Sequence, residues 1–202
     1  MGWRSAFCLR TVTWILLWGD GMGKTKTITL CAVLTALALA LSYTERLIPL
    51  QLLIPIPGIK LGLANIVTMT ALYLLGARYS AMILLGRCVL GAVFGGGITG
   101  FLFSLWGGLL ALGIMTLTKK WSIFSLYGVS ILGAAAHNVG QILAAVVLLQ
   151  SIYVGAYLPY LLLIGIVTGV MTGGATAGVL RILNNISISG NSGKIRNQED
   201  SQ

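Results

Sequence analysis

Pro55-Ile-Pro-Gly-Ile-Lys-Leu-Gly-Leu-Ala-Asn65 is the stretch on which the reading of this chain turns. It joins two apolar spans, holds two of the four prolines, and sets Lys60 and Asn65 at the mouth of a membrane bundle. Proline fixes φ and removes a backbone donor, so Pro49, Pro55 and Pro57 forbid a continued regular helix. Irregular backbone is tolerated at membrane depth only where protein buries it or where it lines a cavity. A polar, conformationally fixed segment in such a chain is where a solute would be met.

The flanks justify the membrane. The chain has 202 residues, of which 57% are hydrophobic and 8% charged, with a mean hydropathy of +0.94. A soluble domain carries about a quarter charged residues. Several apolar runs here reach the roughly 20 residues that a crossing needs. They lie at about 28–43, 61–75 (short for a crossing), 79–98, 101–117, 129–149 and 157–180. The expected fold is an all-α membrane protein, a six-helix bundle.

Charge placement orients it. Arg4, Arg10, Lys24, Lys26, Arg78, Lys119, Lys120, Arg181, Lys194 and Arg196 fall at the termini or in alternate connections. Only Arg46 and Lys60 fall on the opposite side, with Glu45 beside Arg46 as a cap on the outer end of the first span. That asymmetry places both termini in the cytoplasm. The net charge of +9 therefore points to a membrane and not to nucleic acid, for which no basic helix interleaved with aromatics exists.

Residues 1–21 fit neither a span nor a cleavable signal, so Met22 is the expected start of the functional chain and the preceding residues an over-extended reading frame or leader. Residues 22–183 form the membrane domain, and the polar tail 184–202 is expected to lack structure. Gly19-Asp-Gly-Met-Gly-Lys-Thr25 imitates a phosphate-binding loop but has Trp18 where that motif needs glycine, and a membrane span follows it.

Ionisable groups inside a bilayer are costly and mark functional sites. Arg87 is nine residues beyond Arg78, about 13 Å along a helix, and so lies near the midplane. The four acids, Asp20, Glu45, Glu199 and Asp200, all fall outside the spans. His137 shares a helix face with Gln141, and Asn138 lies just to one side. These three are either interhelical glue or part of a ligand site that also uses Lys60, Asn65 and Arg87. Together they make a cavity of positive potential, suited to an anionic or polar aromatic solute. Ala32, Ala36 and Ala40 form a small-residue stripe, for packing in the bundle or for docking on another membrane subunit.

Enzyme chemistry has little to stand on. There are no paired carboxylates in the membrane, no nucleophile–histidine cluster, and no cysteine spacing for a metal. No catalytic, metal or directly bound cofactor site is expected. Prenyl transfer would need aspartate-rich clusters to hold magnesium, and the two aspartates lie near the chain ends.

On the alanine stripe, P-G-I-K-L-G-L-A-N, Arg87 with the glycines after it, and H-N-V-G-Q at 137–141, the chain resembles the Gx transporter family. Its members also carry the label heptaprenyl diphosphate synthase component I, and the family is similar to the substrate-binding (S) components of energy-coupling factor transporters. The resemblance covers about residues 22–183. It implies a multi-pass subunit of the bacterial plasma membrane that captures a small solute outside. Partner ATPase subunits would use the ATP, Ala32, Ala36 and Ala40 would meet the membrane coupling subunit, and 49–60 would gate the site. The family label implies an alternative, a non-catalytic membrane subunit associated with a heptaprenyl or polyprenyl diphosphate synthase.

Overall fold

The computed structural model describes residues 23–46, 60–121 and 123–199. The leader and the prolines of the 49–60 gate lie outside these, and only Lys60 of the gate is described. Six α-helices follow in order: α1 (Lys24–Arg46), α2 (Asn65–Leu74), α3 (Ala77–Gly91), α4 (Gly97–Lys120), α5 (Leu126–Leu149) and α6 (Leu158–Glu199). No strand occurs among the described residues. Five of the helices are long and apolar enough to cross a membrane. The apolar part of α6 ends near Asn185, and its helical backbone runs to Glu199.

α2 is the exception. Its ten residues extend about 15 Å, half the hydrocarbon thickness of about 30 Å. Glycines with positive φ bracket it, Gly62 at 83° and Gly76 at 87°. A side chain would strain the backbone at either point. The first turn closes through Asn65 N–H to Gly62 O (2.9 Å) and Ile66 N–H to Leu63 O (3.0 Å). Seven of the ten residues are buried, and the helix touches α1, α3, α4 and α6. A half-length helix would leave backbone groups bare in lipid, and enclosure by its neighbours removes that cost.

The glycine-rich end of α3 resolves into a break. A π-helical turn, Ala92–Gly96, departs from helical geometry at Phe94 and Gly95. Tyr43 Oη of α1 donates to the Phe94 carbonyl at 2.6 Å, pinning the turn to the end of the first helix.

Close backbone approach holds the other half together. α4 packs most extensively on α5, and α5 on α6. A Cβ at Gly140 would lie 2.7 Å from the Trp106 carbonyl oxygen, and one at Gly169 would lie 2.7 Å from Ile131 Cα. Only glycine permits these contacts, the packing that works where lipid supplies no hydrophobic drive between helices. Large apolar residues face outward, among them Val33, Leu37, Met82, Val89, Val147 and Val167.

The inward face of α1 carries Thr27, Leu34, Ala38, Ser42 and Glu45. Ala32, Ala36 and Ala40 are exposed on its other side.

Candidate functional site

The polar residues gather around the N-terminal end of α2. A helix begins with backbone N–H groups that have no intrahelical acceptor and with the positive end of its dipole. No side chain of α2 itself caps it. Instead the Glu45 carboxylate accepts from Ala64 N–H at 3.3 Å, and the residue is only 3% exposed. This corrects the placement of Glu45 as a cap at the outer end. The carboxylate is folded inward, where it interacts electrostatically with Arg87 and Lys60. The guanidinium therefore has an acidic neighbour that spacing along the sequence did not reveal.

Arg87 projects from α3 into the bundle and is 5% exposed. Its Nη2 donates to Asn65 Oδ1 at 3.4 Å. Space for the guanidinium comes from α4, because a Cβ at Gly108 would approach Arg87 Nη2 to 3.3 Å. Lys60 Nζ donates to Ser104 Oγ of α4 at 2.7 Å, and its backbone N–H points to Gln141 Oε1 at 3.4 Å.

That last contact orients the Gln141 amide. With Oε1 toward Lys60, Nε2 faces His137 Nε2 at 3.0 Å. A neutral ring then carries its proton on Nδ1. The imidazole is 2% exposed and sits between two glycines. A Cβ at Gly62 would lie 3.0 Å from His137 Cδ2, and one at Gly107 would lie 2.8 Å from Nδ1. Gly62 thus serves both the turn into α2 and the space for the ring.

One buried donor in this cluster, Arg87 Nε, has no hydrogen-bond partner among the described residues, and His137 Nδ1 makes no well-formed hydrogen bond, with the Gly107 backbone beside the ring as a weak acceptor. Buried polar groups are otherwise almost always paired. Spare donors beside two cations can receive an acceptor supplied from outside the protein. No group of three or more His, Cys, Asp or Glu able to hold a metal occurs among the described residues.

Of the six expected site residues, Lys60, Asn65, Arg87, His137 and Gln141 come together. Asn138 does not join them. Its Nδ2 donates to the Leu161 carbonyl, and a Cβ at Gly165 would collide with it. It ties α5 to α6, the interhelical glue considered above for this whole group. The cluster gains two residues that the sequence did not mark, Glu45 and Ser104. Glu45 could have been found by asking what would satisfy the start of a half-length helix; Ser104 carries no such signal.

Among known proteins, a family model described as heptaprenyl diphosphate synthase component I matches residues 34–179. No match was found among curated proteins or solved structures. The matched range takes in α1 from its third turn, all of α2 to α5, and most of the apolar part of α6. Every residue of the cluster lies inside it.

Proposed function

Because the chain belongs to the heptaprenyl diphosphate synthase component I family, and because a buried cluster with spare donors stands inside its bundle, we propose that it is a substrate-binding membrane subunit. It takes up a small anionic or polar aromatic solute from outside. A partner module hydrolyses ATP to drive delivery, and this chain performs no chemistry. In this reading the protein makes six crossings of the bacterial plasma membrane, α2 counted as one, with both termini cytoplasmic.

The observation that carries the reading is the orphaned donor Arg87 Nε, beside the under-satisfied His137 imidazole, at the N-terminal end of an enclosed half-helix. Broken helices of this kind suit ligand sites, since their free N–H groups and dipole sit inside the membrane and not at its edge. The exposed Ala32, Ala36 and Ala40 on the outer face of α1 support the coupling subunit as the neighbour there. Small residues allow another helix to come close.

A second reading has one observation in its favour, the printed description of the family. It makes the chain a non-catalytic membrane subunit beside a soluble polyprenyl diphosphate synthase. Affinity capture from native membranes separates the two. Recovery of ATPase and coupling subunits, with a solute identified by mass spectrometry, is the outcome expected of uptake. Recovery of an aspartate-rich synthase, with loss of long-chain prenyl product on deletion, would replace that reading by the second.

A further inference from the structure

The imidazole of His137 stands at the end of a line of directed hydrogen bonds. His137 is the one histidine in the sequence, and it is buried on α5 together with Gln141, none of whose surface is exposed. The line starts in the main chain, where Lys60 N–H points to Gln141 Oε1 at 3.4 Å. It continues from Gln141 Nε2 to His137 Nε2 at 3.0 Å. On the far side of the ring, Nδ1 faces the Gly107 backbone of α4.

We propose that Gln141 is a positioning residue, through which the main chain at Lys60 fixes the donor and acceptor pattern of His137. While that N–H is seated on Oε1, the ring holds its proton on Nδ1. When the N–H is withdrawn, the amide is free to turn, the proton can occupy Nε2, and Nδ1 becomes an acceptor. The exchange moves one proton between the two ring nitrogens and leaves the net charge unchanged. It goes beyond the uptake reading and holds whether or not a solute is bound.

Each step of the line has one allowed direction. A backbone N–H can only donate, so the amide atom facing it is the oxygen. A side-chain amide carries both its donors on the nitrogen, and that end therefore faces the ring. A neutral imidazole has one donor and one acceptor, so Nε2 accepts and Nδ1 bears the hydrogen. The opposite side agrees, since the Gly107 backbone beside Nδ1 is a weak acceptor. Turning the amide over would set two donors face to face at Lys60, and an unmatched buried donor is costly.

The position of Lys60 gives this relay its consequence. Gly62, two residues on, covers the ring, and a Cβ there would lie 3.0 Å from His137 Cδ2. One short stretch therefore both covers the imidazole and sets its polarity. A displacement that uncovers the ring also changes which of its nitrogens donates.

Solid-state nuclear magnetic resonance on full-length protein, isotopically labelled at histidine and held in phosphatidylcholine bilayers, tests the relay. The single histidine gives one pair of ring nitrogen signals. Their shifts tell a protonated nitrogen from a bare one, and correlation to the ring carbons tells Nδ1 from Nε2. The expected wild-type result is a protonated Nδ1 and a bare Nε2.

Two substitutions at one position then separate main chain from side chain. Lys60→Ala removes the ammonium and keeps the N–H, so the ring signals should stay. Lys60→Pro removes the N–H as well, and the ratio of Nδ1-protonated to Nε2-protonated ring should fall about tenfold, the equilibrium weight of one hydrogen bond. Gln141→Met, which removes the amide at similar length, should produce the same shift. A wild-type ring protonated on Nε2 would overturn the relay, and that measurement needs no variant to fold. So would Lys60→Pro and Gln141→Met spectra that match wild type, or Lys60→Ala shifting as far as Lys60→Pro. A solute recovered with protein whose Nε2 is protonated would discard the relay and keep the uptake reading. The expected tautomer and variant shifts in a protein that carries no solute would do the reverse.

Discussion

At its C-terminal end α2 meets Lys119, whose Nζ donates to the Leu72 carbonyl at 2.8 Å and lies 4.6 Å from the centre of the Tyr73 ring. At its N-terminal end it meets Glu45, on Ala64 N–H at 3.3 Å. Each end of the helix thus receives a side chain of the sign that its dipole favours. The surroundings differ. Around the C-terminal half, Met69, Leu72, Leu84, Leu112, Met115 and Val129 form a packed apolar cluster. Around the N-terminal end stand Arg87, Lys60, His137 and Gln141, with Arg87 Nε unpaired and His137 Nδ1 without a well-formed bond. One end is anchored by its neighbours, and the other holds buried donors that the described residues leave unsatisfied.

The comparison is most directly broken at Arg87. Arg87→Met keeps most of the side-chain volume and removes the charge. Loss of the retained solute by about a hundredfold is expected if two charged hydrogen bonds go with it. Because the buried Glu45 carboxylate loses one of its two cationic neighbours and Asn65 Oδ1 loses its donor, a modest fall in Tm should accompany it. A large drop in Tm with unchanged binding would show that both ends of α2 are anchors.

Two glycines of α5 sharpen it next. Gly140→Ala is expected to cost about 1–3 kcal/mol, the usual penalty of overpacking, because the added methyl meets the main chain at Trp106 and Gly107. Gly133→Ala should cost less. Its methyl meets the Met115 side chain, and methionine is unbranched and adaptable. Thermal melts of the two variants side by side check the ranking, and equal costs would contradict it.

The smallest effect is expected at the anchored end. Lys119→Met removes the ammonium from the Leu72 carbonyl and should lower stability by about 1 kcal/mol, typical of one hydrogen bond. Solute affinity, measured on the same preparation, should not change.

Much of this was legible in residue order. The five long helices announce themselves because each apolar run meets the bilayer as solvent, and length alone decides whether it can cross. Arg87 and His137 stand out for the converse reason, since an ionisable group in such a run needs an explanation. Glu45 was misjudged because proximity in sequence to Arg46 and the prolines suggested an interface, whereas its partner Ala64 is nineteen residues on. Asn138 was grouped with His137 and Gln141 because i+3 and i+4 neighbours share a face. Its side chain instead reaches Leu161 across the helix pair, a distinction that depends on where α6 packs.

Composition, the spacing of charges and the few polar residues within apolar runs determined by themselves that this is a helical membrane protein, and that Arg87 and His137 lie inside it. Those properties depend on transfer of single residues into lipid, which local sequence controls. Tertiary structure alone decided that α2 is an enclosed half-helix, that Glu45 turns inward to start it, and that Ala32, Ala36 and Ala40 face away from the bundle. Those outcomes depend on how the helices rotate and approach one another, and small residues set that approach without naming the partner they will meet.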